Sequence, residues 1–123
     1  DLLAVLESVM IGERYKYLAQ VFQALRIEVN DEMKALKELL VQGGEVLGNG
    51  GRFVVLSYHS LEDRLVKNYF KAGNPEGEHE KDFYGNIKKS FNMLTKKPIS
   101  PSDAERKMNP RSGSARLRVA EKI

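Results

Sequence analysis

Hydrophobic residues follow two spacings along the chain, and the change from one to the other marks its elements. From Tyr17 to Gln42, Leu18, Val21, Phe22, Leu25, Val29, Met33, Leu36, Leu39 and Leu40 recur near the 3.6-residue helical period, with Arg26, Glu28, Lys34 and Lys37 on the other side. Asn30-Asp31-Glu32 can cap a second helix, so the stretch predicts one bent helix or two in series. Gly43-Gly44 would ordinarily stop it, but Val46 and Leu47 continue the same face and carry the prediction to Leu47. Ahead of it, the apolar positions of Asp1 to Met10 predict a short helix that lacks an evident cap and has the look of a cut end.

The spacing then changes. Gly48-Asn49-Gly50-Gly51 predicts a turn, and the unbroken run Phe53-Val54-Val55-Leu56 predicts a strand buried on both faces of a parallel sheet. Helical spacing returns in Leu61, Leu65, Val66, Tyr69 and Phe70, with Ser60 as the expected N-cap and Asp63 reaching back to it. Glu62 and Asp63 complement the positive end of that helix, Lys67 and Lys71 its negative end, and Gly73 is placed to stop it. Gly73 to Asn86 is acidic and aperiodic and reads as a mobile surface loop in which His79 is solvated. Ser90 to Thr95 reads as a short strand. Ser100, Pro101 and Asp103 restart a helix at N-cap, N1 and N3 that ends before Pro110. Leu117 to Ile123 reads as a last strand, antiparallel to the previous one at the sheet edge. The fold class is α/β, and 123 residues suffice for one small domain or part of a larger one.

Composition narrows the classes of function. With 41% hydrophobic and 30% charged residues the balance is that of a soluble globular chain. No apolar run approaches the roughly 20 residues that cross a bilayer, and no basic segment precedes the first apolar residues, so a cytoplasmic protein is expected. The absence of cysteine excludes disulfides and thiolate chemistry, and two isolated histidines argue against a structural metal site. Charge is uneven: residues 88–123 hold ten Lys and Arg against three Asp and Glu, whereas residues 1–87 hold ten against fourteen. A basic C-terminal segment suits a polyanion, although it equally suits a surface kept soluble by charge. The glycines at 48–51 are not a phosphate-cradling loop, because such a loop follows a strand and opens a helix, and these follow a helix and open a strand. The position where an open α/β sheet binds its ligands, beyond the carboxyl end of a strand, is held by Ser57-Tyr58-His59-Ser60.

Three strings carry a resemblance to a known family. They are Phe22-Gln23-Ala24-Leu25-Arg26-Ile27 with Val29-Asn30-Asp31-Glu32; Ser57-Tyr58-His59-Ser60-Leu61-Glu62-Asp63-Arg64; and Thr95-Lys96-Lys97-Pro98-Ile99 leading to Asn109-Pro110-Arg111-Ser112 and Ser114-Ala115. Together they closely resemble the bacterial small-subunit ribosomal RNA cytosine-N4 methyltransferases of the MraW/RsmH family, over nearly all of Leu18 to Ile123. Tyr58 stands where phenylalanine is common, Gly113 where a basic residue is common, and Arg116 where lysine is found.

The resemblance implies the C-terminal part of a Rossmann-like, S-adenosylmethionine-dependent methyltransferase fold. It would contain one strand of the parallel sheet, the fifth, an antiparallel strand pair, and flanking helices. Residues 1–14 would be the remnant of an inserted helical domain and 15–123 the C-terminal part of the methyltransferase domain. The residues that hold S-adenosylmethionine are expected upstream of this chain, so no cofactor-binding residue is assigned here and the segment alone should be inactive. The implied reaction is methyl transfer to the exocyclic amine of a cytidine in small-subunit ribosomal RNA, with no metal.

By the same resemblance Ser57, Tyr58 and His59 are the candidate catalytic residues: Tyr58 to stack on the cytosine, His59 to accept or relay a proton. Structural roles stay open beside these, packing for Tyr58, a backbone bond for His59, a helix cap for Ser60 and ion pairing for Asp63 and Arg64. Lys96, Lys97, Arg111, Ser112, Ser114, Arg116 and Arg118 are the candidate RNA contacts, against the alternative of an edge strand guarded by charge. A non-catalytic RNA-binding module and a structural interaction domain are the rival readings. A segment cut from a larger sheet would expose one flank of Phe53 to Leu56, which predicts self-association.

Overall fold

The computed structural model describes residues 1–10 and 12–123, which form two compact units, 1–35 and 36–123. In the first unit, α1 (Leu2–Glu7) is capped after all: the Asp1 carboxylate accepts the Leu3 N–H at 3.2 Å. The long periodic stretch resolves into two helices, α2 (Arg14–Asn30) and α3 (Glu32–Val46). Asp31 separates them in the left-handed conformation, φ 53°, which aspartate tolerates better than most residues. The break at Asn30-Asp31-Glu32 is therefore a change of backbone conformation at one residue, and the alternative of two helices in series is the one found.

In the second unit α3 continues through Gly43-Gly44, and packing explains why glycine stands in a helix there. A Cβ on Gly43 would sit 2.5 Å from Cζ of Phe53, and one on Gly44 would overlap the Tyr69 hydroxyl. The glycines let the helix backbone approach the aromatic core; they do not end it. Beyond a glycine turn in which Gly50 has φ 79°, β1 runs over Arg52–Ser57 and α4 over Ser60–Ala72. After them come β2 (Phe91–Met93), α5 (Asp103–Met108), a 3-10 turn (Pro110–Ser114) and β3 (Arg116–Lys122). Gly73 ends α4 in the left-handed conformation, φ 82°, as its position predicts.

The sheet has the order β1-β3-β2, with β3 antiparallel to both neighbours, so β1 and β2 run parallel on either side of it. The antiparallel pairing of the last two strands is found, but β3 is central and β2 forms the edge. Among the described residues β1 is not an interior strand of a parallel sheet: it pairs with β3 alone and its burial alternates. Phe53 and Val55 turn toward α4, whereas Val54 and Leu56 remain 55% and 52% exposed on the opposite face. Four apolar residues in a row suit a strand covered on both sides, and this segment covers one side only.

The core lies between α4 and that covered face. Phe70 and Leu40 are fully buried, with Val66, Tyr69, Leu65 and Phe91 nearly so. Ring centroids of Phe53 and Phe70 lie 5.6 Å apart, Tyr69 and Phe91 5.4 Å, Phe70 and Phe91 5.8 Å, all tilted. Such pairs contribute about 0.5–1.5 kcal/mol each beyond the area they bury. Burial, and secondarily the charge of Glu45, pushes the pKa of the Tyr69 hydroxyl up, so it is held in its neutral form.

Two loops differ from expectation. Residues 73–86 contain defined turns: Asn74 exchanges two hydrogen bonds with the Glu78 backbone, and Asp82 binds the N–H groups of Tyr84 and Asn86. The cap of α5 is Ser102, whose hydroxyl accepts the Glu105 N–H at 3.2 Å, two residues later than the Ser100 start read from Ser-Pro. No helix among the described residues is long and apolar enough to cross a membrane, and none of their His, Asp and Glu residues form a group of three suited to a metal ion.

Candidate functional site at the end of β1

The junction of β1 and α4 is built by an exchange of roles between neighbouring residues. His59, in extended conformation (φ −145°, ψ 160°), is the N-cap: its Nδ1 accepts the Leu61 N–H at 3.2 Å. Ser60, the expected cap, is instead the first helical residue. The reciprocal bond comes from Glu62, whose carboxylate accepts the Tyr58 N–H at 3.3 Å, and not from Asp63. The box has moved one residue toward the strand. Imidazole can serve as the cap acceptor because its unprotonated nitrogen lies within reach of the first free amides.

That bond fixes the chemistry of His59. With Nδ1 accepting from an amide, the neutral ring carries its hydrogen on Nε2, so the free edge is a donor. Nε2 is buried and has no hydrogen-bond partner among the described residues. The candidate role of accepting or relaying a proton therefore falls to the Nε2 edge of the ring. Tyr58 leaves its ring half exposed beside it, and Ser57 is buried at the last position of β1.

Asp63, released from capping, binds Arg118 through two bonds: Nε to Oδ1 at 2.7 Å and Nη2 to Oδ2 at 3.0 Å. Arg118, expected to contact phosphate, is only 4% exposed, and its guanidinium is turned away from solvent toward Asp63. The register accounts for this: Arg118 lies opposite Val55, on the face that α4 covers. Ser112 is also withdrawn, being buried with its hydroxyl donating to the Asn109 carbonyl at 2.7 Å. Lys96, Lys97, Arg111 and Ser114 are exposed, and Arg116 is half-buried with Nη1 donating to the Ala115 carbonyl.

Topology gathers the remaining residues. Ser57 pairs with Arg116, Ile99 bridges to Leu117, and the 3-10 turn carrying Arg111 and Ser114 leads directly into Arg116. The Thr95 hydroxyl accepts the Val119 N–H at 3.0 Å and so anchors the chain just before Lys96 and Lys97. The Ser57-Tyr58-His59 junction and five exposed or half-exposed polar and basic residues therefore share one end of the sheet. The Asp63–Arg118 pair is a fixture of this end: ion pairing is among the roles open to Asp63 in the sequence, but Arg118 is not named as its partner, although alternation along β3 with Ala120, fully buried, signals that Arg118 points inward. A depression of about 610 Å³ on α2 is lined by one helix face between Lys16 and Arg26 and encloses nothing.

The profile of the MraW methylase family matches residues 2–123. The chain is 62% identical over 108 residues to the ribosomal RNA small subunit methyltransferase H of Parabacteroides distasonis, 88% of this chain and 35% of that protein. It is 54% identical over 123 residues to that of Bacteroides thetaiotaomicron, 99% of this chain and 40% of that protein, and 57% identical over 111 residues to that of Cytophaga hutchinsonii, 90% and 37%. The chain thus spans well under half the length of these relatives. On a match that runs through almost every residue of the sheet, its helices and the β1–α4 junction, the chain belongs to the MraW methylase family.

Proposed function

We propose that the chain is the C-terminal part of an enzyme that transfers a methyl group from S-adenosylmethionine to N4 of a cytidine in small-subunit ribosomal RNA, in the cytoplasm, and that this segment alone is inactive. The observation that carries the reading is the family match over residues 2–123, with relatives named for ribosomal RNA methylation of which the chain covers about 35 to 40%. The sheet supports it further: β1 takes the part of the fifth strand of a Rossmann-like methyltransferase, and β2 with β3 that of the antiparallel pair that follows. Residues 1–14 would then belong to an inserted helical domain and 15–123 to the methyltransferase domain.

The residues present do not fit the cofactor. The short strand-to-helix junction beyond the carboxyl end of β1, Ser57 to Ser60, has no glycine, and the Leu61 amide at the helix start is already taken by His59. The glycines at 48–51 lead into a strand, not a helix. This supports a reading in which residues outside this chain hold S-adenosylmethionine.

The segment supplies the RNA side of the reaction. The exposed face of Tyr58 offers a surface on which an unstacked cytosine can lie, offsetting the few kcal/mol that extrusion from the stack costs. His59 stands beside that ring as the group to orient the amine or relay its proton, its Nε2 having no partner among the described residues. Lys96, Lys97, Arg111, Ser114 and Arg116 suit the flanking phosphates. The unpaired edge of β1, with Val54 and Leu56 exposed beside it, supports pairing of the isolated segment with a second copy, and light scattering that returned a monomer at micromolar concentration would contradict this.

The test is a transfer assay with the longer protein that contains this segment, tritiated S-adenosylmethionine and small-subunit ribosomal RNA, followed by digestion to nucleosides. Label in N4-methylcytidine is the expected result. RNA binding without transfer would leave a non-catalytic RNA-binding module as the better reading.

A further inference from the structure

A second cleft lies away from the β1–α4 junction, along β2. Its volume is about 380 Å³, within the range of small-ligand sites. Ile87 and Phe91 provide an apolar floor, Lys71, Lys89 and Lys96 its charge, and no carboxylate lines it. His79 closes one wall, half-buried rather than solvated, with a buried Nδ1 that has no hydrogen-bond partner among the described residues.

The same wall continues into a small hairpin. Lys81 bridges to Ile87, the Lys88 N–H donates to the Glu80 carbonyl at 2.9 Å, and Asp82 accepts the Tyr84 and Asn86 N–H groups at 2.9 and 2.8 Å. At its tip Phe83 and Tyr84 are 98% and 85% exposed, their rings 5.6 Å apart and perpendicular. Two large aromatic side chains held in water by a turn fixed on both sides cost solvation and add nothing to the core. Aromatic rings beside lysines, with an apolar slot and an unpaired ring nitrogen, form the surface that binds unpaired nucleotides: rings stack on bases, ammonium groups take phosphates.

We propose that this cleft takes one unpaired nucleotide of the RNA, its base over Ile87 and Phe91 and its phosphate between Lys71 and Lys89, while Phe83 and Tyr84 stack on the neighbouring base. The inference rests on the RNA-directed reading above and adds to it a second contact region, on the outer edge of the sheet. The unpaired Nδ1 of His79 then has its partner on the base. Glu76, Glu78 and Glu80, on the same loop, disfavour a strand lying across them and so confine the RNA path to the lysine side.

The experiment uses the longer protein containing this segment and a fluorescein-labelled single-stranded oligoribonucleotide from the small-subunit RNA, read by anisotropy. Loss of a stacked base costs about 1–3 kcal/mol, so the double variant F83A/Y84A should bind at least about fivefold more weakly. K71A/K89A should flatten the slope of log Kd against log salt by roughly 0.7 for each phosphate that the lysines no longer neutralise. Both pairs lie on the surface, and an unchanged thermal unfolding curve shows that the fold is intact. A 2-aminopurine in the oligonucleotide should be quenched by the wild type and not by F83A/Y84A. Variants that bind with wild-type affinity and salt slope overturn the cleft, as does a wild type that does not bind the oligonucleotide. Methyl transfer by the wild type is measured separately, so the cleft can fail while the enzymatic reading stands.

Discussion

Removing the Asp63 carboxylate probes the most buried ion pair among the described residues. Asp63→Ala deletes two charge-assisted hydrogen bonds, at 2.7 and 3.0 Å, and leaves the Arg118 guanidinium 4% exposed with no carboxylate. Loss of one partner from a buried pair costs about 3–5 kcal/mol, chiefly because the remaining charge is uncompensated. The Asp63 side chain is 19% exposed, so water can reach the vacated end and the lower bound applies, about 3 kcal/mol. That is a large part of the roughly 5–15 kcal/mol that holds a small domain folded. The replacement D63L/R118M, which removes both charges and keeps side-chain volume, should fall within about 1 kcal/mol of the wild type. Urea unfolding followed by far-UV circular dichroism measures both, since the chain has no tryptophan. A D63A variant within about 0.5 kcal/mol of the wild type would refute the reasoning, and a double variant no more stable than D63A would show that packing, not charge, sets the loss.

Three further outcomes follow from the same geometry. Gly44→Ala should destabilise by about 1–3 kcal/mol, despite the better helix propensity of alanine, because its methyl group meets the Tyr69 hydroxyl and lies 3.2 Å from the Phe91 ring; adding Tyr69→Phe should recover part of the loss in thermal melts. His59→Ala should cost about 1 kcal/mol through loss of the cap, and His59→Asn, which can accept the same Leu61 amide, should restore most of it in urea titrations. The side-chain bond from Asn86, then the backbone bonds from Asn86, Tyr84 and Gly85, hold the Asp82 carboxyl below its ordinary 3.8. A depressed carboxylate stabilises the turn above its unfolded value and loses that effect as pH falls through the folded one, so the protection of the Tyr84 and Asn86 amides, as exchange relative to the intrinsic rate at each pH, should fall only below about pH 3.8, a change that Asp82→Ala should abolish.

Much of this fold can be read directly from spacing. The helical period of Leu18 to Leu47 persists through Gly43-Gly44 because the glycines face aromatic rings, so the apolar pattern is the better guide and the glycine stop signal the worse. Capping is legible to within one or two residues and no closer. Ser60 and Ser100 have the right chemistry, but His59 and Ser102 hold the extended backbone that a cap requires, and His59 competes for that place with an acceptor seldom counted among caps. Arg118 shows the opposite weakness. Its charge suggests solvent and phosphate, and only the register against Val55 turns it inward to Asp63, a partner 55 residues away that no local pattern identifies. The apolar run Phe53 to Leu56 reads as a strand covered on both faces, and among the described residues only one face is covered.

The central claim is that the residues leaving β1 receive the RNA base. Kinetics of the longer protein with Tyr58→Ala test it most directly, because the ring is half exposed and its removal leaves the core untouched. The account predicts unchanged thermal unfolding together with a fall in kcat/KM for small-subunit RNA of at least about fivefold, the loss of one stacked base. Wild-type kcat and KM in a variant shown to lack the ring would contradict it and move the base elsewhere.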